Sequence, residues 1–278
     1  MEGIRFLHCA DLHLGAEFSS LGSLGPSRRE ELFMTFERIL SICREEGPDF
    51  LFIAGDLFDT DAPEPSLARR VREGLASIGG TEVVIAPGNH DYLSARSPYL
   101  SPWSPNVHIF TRGVYCFPFP QKGTCVYGAG FTASYEPEPL LQRLPAEKEG
   151  RIRLGVLHGD LAGSGAYNPI SEGELRRSGL QYIALGHVHQ PSPGPQQAGK
   201  TVFAYSGSPE GDVYKRQMLF CADCGHVMYQ QRYQNKTRKQ DCYICGSYKK
   251  RTRDCTAHFI RTDLLTAGVL SNLRQVTE

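Results

Sequence analysis

Phe50-Leu51-Phe52-Ile53-Ala54-Gly55-Asp56-Leu57-Phe58-Asp59 joins an apolar run to a glycine and two carboxylates in one short word. An unbroken apolar run closed by glycine fits a strand buried on both faces, as in parallel sheets. The glycine lets the backbone turn tightly as it leaves the strand. Asp56 then stands at the carboxyl edge of the sheet, where open α/β folds gather their ligands.

The arrangement recurs on either side. Asp11-Leu12-His13 follows the run 4–9, and Gly88-Asn89-His90-Asp91 follows 83–86. His158-Gly159-Asp160 follows 152–157, and Gly186-His187-Val188-His189 follows 182–185. Residues 27–46 carry Leu32, Phe36, Ile39, Leu40 and Cys43 at helical spacing, with Gly47-Pro48 as the stop. Residues 66–78 repeat the theme with Leu67, Val71, Leu75 and Ile78, closed by Gly79-Gly80. This βαβ rhythm predicts an α/β fold with a largely parallel, layered sheet flanked by helices. Residues 94–124, rich in Pro and aromatics, read as loop plus short antiparallel strands. Residues 133–150 read as a surface excursion with one short helix.

Five strand ends that deliver carboxylates and imidazoles to one edge predict a two-metal centre. Two divalent cations about 3.5–4 Å apart can clamp a phosphoryl group and acidify a water between them. Holding them that close needs an anionic bridge, and Asp56 is the best candidate. Carboxylate plus imidazole suits Mn or Fe, with Zn as an alternative. In an extended His187-Val188-His189 both rings fall on one side, so reaching different metals requires a bend or bulge. His8, His108, His226 and His258 lie outside the five blocks and read as structural. His8, odd in its strand's phase, is expected to point away from the site. Trp103, Tyr115, Phe117 and Phe119 read as packing residues, with stacking on DNA as the alternative.

The ordered words D-x-H, G-D-x-x-D, G-N-H-D, H-G-D and G-H-x-H resemble those of the calcineurin-like metallophosphoesterases. The flanking words Ala10-Asp11-Leu12-His13-Leu14-Gly15 and Tyr205-Ser206-Gly207-Ser208-Pro209-Glu210-Gly211 narrow the resemblance to the SbcD exonuclease type, YhaO-like members included. Phosphoprotein phosphatases of the same superfamily read G-D-x-V-D-R-G and G-N-H-E, whereas Leu57-Phe58-Asp59 and Asp91 stand here. The likeness covers about residues 3–211 and implies a layered sheet sandwich. It implies one metal on Asp11, His13, Asp56 and His189, and a second on Asp56, Asn89, His158 and His187. His90 would steer the scissile phosphate or protonate the leaving oxygen, and Asp59 and Asp91 would orient ligands from behind. The reaction implied is attack of a metal-activated water on a DNA phosphodiester, in DNA repair, with two Mn2+ (or Fe or Zn). The partners implied are DNA, an SbcC-like SMC-type ATPase and a second copy of the chain.

At 278 residues the chain is long enough for one full core plus a small appendage. It has no apolar run of membrane-spanning length. Its start shows neither a basic nor an apolar leader region, so a cytoplasmic location is expected and no membrane partner. The net charge of zero hides an asymmetry. Residues 212–278 hold 12 Lys/Arg against 6 Asp/Glu, and residues 1–211 hold 18 against 24. Cysteine usage divides at the same place. Cys9, Cys43, Cys116 and Cys125 are scattered singly, as small buried hydrophobes are. Cys221, Cys224, Cys242, Cys245 and Cys255 crowd together and read as a metal site.

The SbcD-like pattern breaks after Gly211. Residues 212–217 are a literal translation of GAT GTG TAT AAG AGA CAG, which resembles the mosaic-end adaptor of transposase-prepared libraries. The expectation is a seam at 212–217 joining two unrelated gene fragments, the first of them truncated at 211. Residues 218–278 resemble the zinc β-ribbon of large serine recombinases, followed by the start of a coiled-coil helix near 260–276. Spacing alone pairs Cys221 and Cys224 with Cys242 and Cys245. The resemblance implies instead Cys221, Cys224, Cys245 and Cys255 around one structural Zn2+, with Cys242 doubtful and His258 a weaker alternative. The alternative function for the chain is therefore a non-catalytic, DNA-binding zinc ribbon. Lys236-Thr237-Arg238-Lys239 and Lys249-Lys250-Arg251-Thr252-Arg253 read either as contacts for DNA phosphates or as solvated hairpin loops.

Overall fold

Four short parallel strands open the fold, in the order β1 (Phe6–Cys9), β2 (Phe50–Ile53), β3 (Glu82–Ile85) and β4 (Val107–Ile109). They come from a computed structural model that describes residues 3–18, 25–111, 113–145, 151–161, 165–210, 223–224, 228–235, 238–245, 247–248, 255 and 259–261. Two crossovers carry helices α1 (Gly25–Glu46) and α2 (Pro65–Ala76). The chain then builds a second sheet from β5 (Tyr115–Phe119), β6 (Thr124–Gly128), β7 (Ile152–His158), β8 (Tyr182–Gly186), β9 (Gln196–Ala198) and β10 (Thr201–Tyr205). Its order is β5-β6-β7-β8-β10-β9, parallel at the centre, with antiparallel β5 and β9 at the edges. Helix α3 (Glu172–Arg177) connects β7 to β8, and its Ser171 and Glu174 form a capping box.

Strand alternation explains the layering. In β2 and β3, Leu51, Ile53, Val83 and Ile85 pack with Leu32, Phe36, Leu40, Val71 and Leu75 of the two helices. Their neighbours Phe50, Phe52 and Val84 point the other way and meet Val126, Leu154, Val156 and Ala184 of the second sheet. The far face of that sheet buries Leu157, Ile183 and Leu185 against Leu175 and Leu180. The result is helix, sheet, sheet, helix. Both central strands are buried on two faces, which is why β2 and β3 read as unbroken apolar runs.

Three local readings change. Strand β4 is parallel to β3, because the peptide of Asn106 accepts from Val83 N–H and carries the run 107–109 into the first sheet. The helix expected within 133–150 is a single 3-10 turn, Leu140–Arg143, with 146–150 outside the described residues. Strands β6, β9 and β10 were not anticipated.

The chain divides into two compact units, Met1–Val213 and Tyr214–Glu278. The second contains an antiparallel sheet of β11 (Met228–Asn235), β12 (Arg238–Cys245) and β13 (Phe259–Arg261). The helix expected from residue 260 does not begin there: Phe259–Arg261 pairs with β12, and 262–278 lie outside the described residues. Among the described residues no helix is long and apolar enough to cross a membrane.

His8 sits in β1 between the sheets, its Nδ1 3.2 Å from the Tyr182 hydroxyl. Burial pushes its imidazole down to about 4, so the folded chain refuses a proton that an unfolded histidine accepts near 6.5. Stability is therefore expected to fall as pH drops from about 6.5 to 4. In urea titrations across that range, His8→Leu should flatten the slope; an unchanged slope would assign the acid sensitivity to other groups.

Candidate metal centre

The five sequence blocks converge where the two sheets end together. Asp11 and His13 leave β1, Asp56 leaves β2 and Asn89 follows β3, while His158 ends β7 and His187 and His189 follow β8. Each turn is abrupt. Asp11, His13, Asp56 and His187 take left-handed backbone, with φ of 55°, 48°, 50° and 99°. Only two other described non-glycine residues do so, and such conformations cost about 1–3 kcal/mol each. Two glycines allow the close approach: a Cβ on Gly88 would collide with Asp56 Oδ1, and one on Gly186 with the Ala54 carbonyl.

Asp56 lies at the centre. Its Oδ2 is 3.9 Å from His13 Nε2 and 3.4 Å from His158 Nε2. On one side Asp11, His13 and His189 bring ligand atoms within 4.8 Å of one another, with His13 Nε2 and His189 Nε2 3.2 Å apart. On the other, Asn89 Oδ1 lies 2.9 Å from His158 Nε2 and 3.1 Å from His187 Nδ1. The left-handed turn at His187 is the bend that sends the two rings of His187-Val188-His189 to opposite sides. His90 approaches from the rim, its ring 4.8 Å from that of His13 and its Nδ1 3.3 Å from the Asp59 carbonyl. Asp59 Oδ1 is also 3.1 Å from His13 Nδ1.

The charges answer one another. Burial opposes ionisation at Asp56, but the His158 and His13 imidazoles outweigh it and hold the carboxyl below the ordinary range. Burial likewise opposes charging His158, yet Asp56 and Asp11 lift it to about 9. Asp11, buried and facing Asp56, is pushed up despite His158. Burial and the neighbouring His158 lower His187 to about 4. Two buried carboxylates, four imidazoles and an amide oxygen make an oxygen–nitrogen donor set that fits divalent Mn, Fe or Zn.

Asp91 ties the scaffold together. Its carboxylate accepts N–H groups from Asp56, Leu57, Phe58 and Gly88, at 2.7–3.2 Å, and the Tyr99 hydroxyl at 2.5 Å. Tyr99 escaped sequence reading because a single buried tyrosine in a Pro-rich loop carries no motif. The word 205–211 also finds its purpose. Tyr205 donates to the Gly159 carbonyl and accepts from Leu161 N–H, and Ser208 N–H reaches the His189 carbonyl. Glu210 pairs with Arg28 of α1.

In the second unit Cys224, Cys245 and Cys255 gather, with Cys224 Sγ 3.5 Å from Cys245 Sγ. Cys242 stands three residues before Cys245 on β12, so it faces the other side of the ribbon and stays out of the group. Cys221, His226, His258 and most of both basic words lie outside the described residues.

Residues 4–191 match the model of the calcineurin-like phosphoesterases, and the chain belongs to that family. Residues 216–274 match the recombinase zinc beta ribbon domain. The chain is 30% identical to the uncharacterized metallophosphoesterase YhaO of Bacillus subtilis over 67% of its own length and 49% of that protein. It is 31% identical to the DNA double-strand break repair protein Mre11 of Methanopyrus kandleri, covering 74% and 49%. A subunit of the nuclease SbcCD from Bacillus subtilis is 28% identical over 74% and 61%. The chain thus spans about half the length of the first of these relatives.

Asp91→Asn turns an amide NH2 toward a nest of N–H donors and loosens the Asp56 turn. Calorimetric titration with Mn2+ should show affinity at the centre falling about 10–100-fold. Native affinity in a folded Asp91→Asn protein would deny Asp91 this role.

Proposed function

We propose that the first unit hydrolyses DNA phosphodiesters as a two-metal nuclease of the SbcD type. The observation that carries the reading is Asp56, one buried carboxylate oxygen set between two imidazoles from different sheets. Asp11, His13, Asp56 and His189 would hold one cation, and Asp56, Asn89, His158 and His187 the other. When bound, such a pair acidifies a water and neutralises the phosphoryl oxygens.

The remaining work belongs to the side chains. Asp59 anchors both His13 and His90, so the ring nearest the rim keeps a fixed distance from the cation ligands. His90, its side chain 36% exposed, is the group positioned to meet the scissile phosphate and to hand a proton to the leaving oxygen. Asp91 and Tyr99 stay behind the turn and orient it. The named relatives favour DNA over a phosphomonoester, as does Leu57-Phe58-Asp59 in place of a V-D-R-G word. On this reading the nuclease acts beside an SbcC-like SMC-type ATPase, as a homodimer, in the cytoplasm.

For the second unit we propose a structural zinc on Cys221, Cys224, Cys245 and Cys255, which would stabilise a ribbon too small to fold alone. The matched ribbon family and three gathered thiols favour it. The proposed seam at 212–217 contains the division between the two units, which supports a join of separate gene fragments.

Linear DNA and a bis-aryl phosphate diester should both be cleaved with Mn2+ present, and EDTA should stop the reaction. His90→Ala should lower kcat about 10²–10⁴-fold, and Asp56→Asn should abolish turnover. Equal activity in either variant would remove the assignment.

A further inference from the structure

Beside the centre two loops carry tyrosines that neither the cation ligands nor the core uses. Tyr135 follows β6 and Tyr167 follows β7. Their rings are 5.7 Å apart and 28° from parallel. Tyr167 in turn lies 4.9 Å from the His187 ring at 36°. The three rings form a ladder that starts at a proposed cation ligand and ends in solvent. Tyr135 is 62% exposed, the most exposed large apolar side chain among the described residues.

The ladder stands on a rigid base. Glu136 and Tyr167 form an isolated β-bridge, and the backbone bonds Glu136 N–H to Ala166 and Asn168 N–H to Glu136 zip the loops together. Asn168 is fully buried with φ of 44°; its side chain takes Leu140 N–H and donates to the His158 carbonyl, at 2.8 Å each. A Cβ on the adjacent Gly159 would strike the same asparagine. The loops that raise the tyrosines are thus fastened to the peptide of His158 itself. An exposed aromatic held this firmly loses little conformational freedom when a flat partner covers it.

We propose that Tyr135, supported by Tyr167, is a stacking platform for an unpaired nucleobase of the strand whose phosphate occupies the centre. The proposal rests on the nuclease reading of that centre. A base inside a duplex is stacked on both faces and cannot cover a tyrosine ring, so the platform selects single-stranded or frayed ends. Stacking of a base on an aromatic side chain tolerates any base, since each offers a π-face. Tyr135 is therefore a specificity-determining residue for strandedness, not for sequence.

The test uses the full chain and two readouts. A single-stranded oligonucleotide carrying 2-aminopurine reports stacking by fluorescence quenching and needs no turnover. Quenching is expected with the native chain and with Tyr135→Trp, and its loss with Tyr135→Ala. In parallel, kcat/KM is compared on single strands and on abasic strands of equal length. The preference for base-bearing DNA should fall about tenfold or more in Tyr135→Ala and return in Tyr135→Trp. Native-like quenching and an unchanged preference in Tyr135→Ala would overturn the proposal, as would absence of quenching in the native chain. Quenching without hydrolysis of either strand would leave the platform standing and remove the nuclease reading instead.

Discussion

A carboxylate in the wrong place for a carboxylate organises this molecule. Asp56 is buried, in left-handed backbone, with a glycine before it and its side chain pressed against Gly88. An isolated anion there would cost several kcal/mol. Two imidazoles and the His90 N–H supply the compensation. Asp91 exists to hold the turn that places it, and Tyr99 exists to hold Asp91. Without the Asp56 carboxylate the His13 and His158 imidazoles lose the anion that faces both.

The two-sheet architecture follows from the same need. Asp11, His13, Asp56 and Asn89 come from the first sheet; His158, His187 and His189 come from the second. Neither sheet carries a complete set, so the core between them sets the distances across the centre. Phe50, Phe52, Val84, Val126, Leu154, Val156 and Ala184 form that core, and the contact of Gly186 with Ala54 closes it at the site edge. Ser208 and Tyr205 then brace the loops that carry His189 and His158. A residue such as Phe52 thus acts on the spacing of these side chains from within the core.

Much of this was legible in the residues, for a physical reason. Strands buried on both faces must be apolar throughout, so β2, β3, β7 and β8 stood out, and polar residues at their ends stood out more. Strands β6, β9 and β10 were not legible. Edge strand β9 is three residues long and mostly exposed, β10 alternates buried and half-buried residues, and β6 opens on Thr124 and closes on Gly128, so none carries an unbroken apolar run. Strand β4 was misread because three residues carry no period of their own; only the register against β3 decides its direction. In the site, the residues that converge announced themselves by type and order. Tyr99, Asn168, Tyr135 and Tyr167 did not, since their roles arise from loops that meet only in three dimensions. In the ribbon, Cys242 shows the opposite lesson: spacing suggested a pair that strand alternation separates.

The proposed function requires that two cations share the Asp56 carboxylate. Electron paramagnetic resonance of the Mn2+-loaded chain tests it most directly. A shared Asp56 predicts an exchange-coupled dimanganese signal, replaced in Asp56→Asn by weak or absent binding. A six-line spectrum of isolated Mn2+ in the native protein at saturation would contradict it, however well the ligands align.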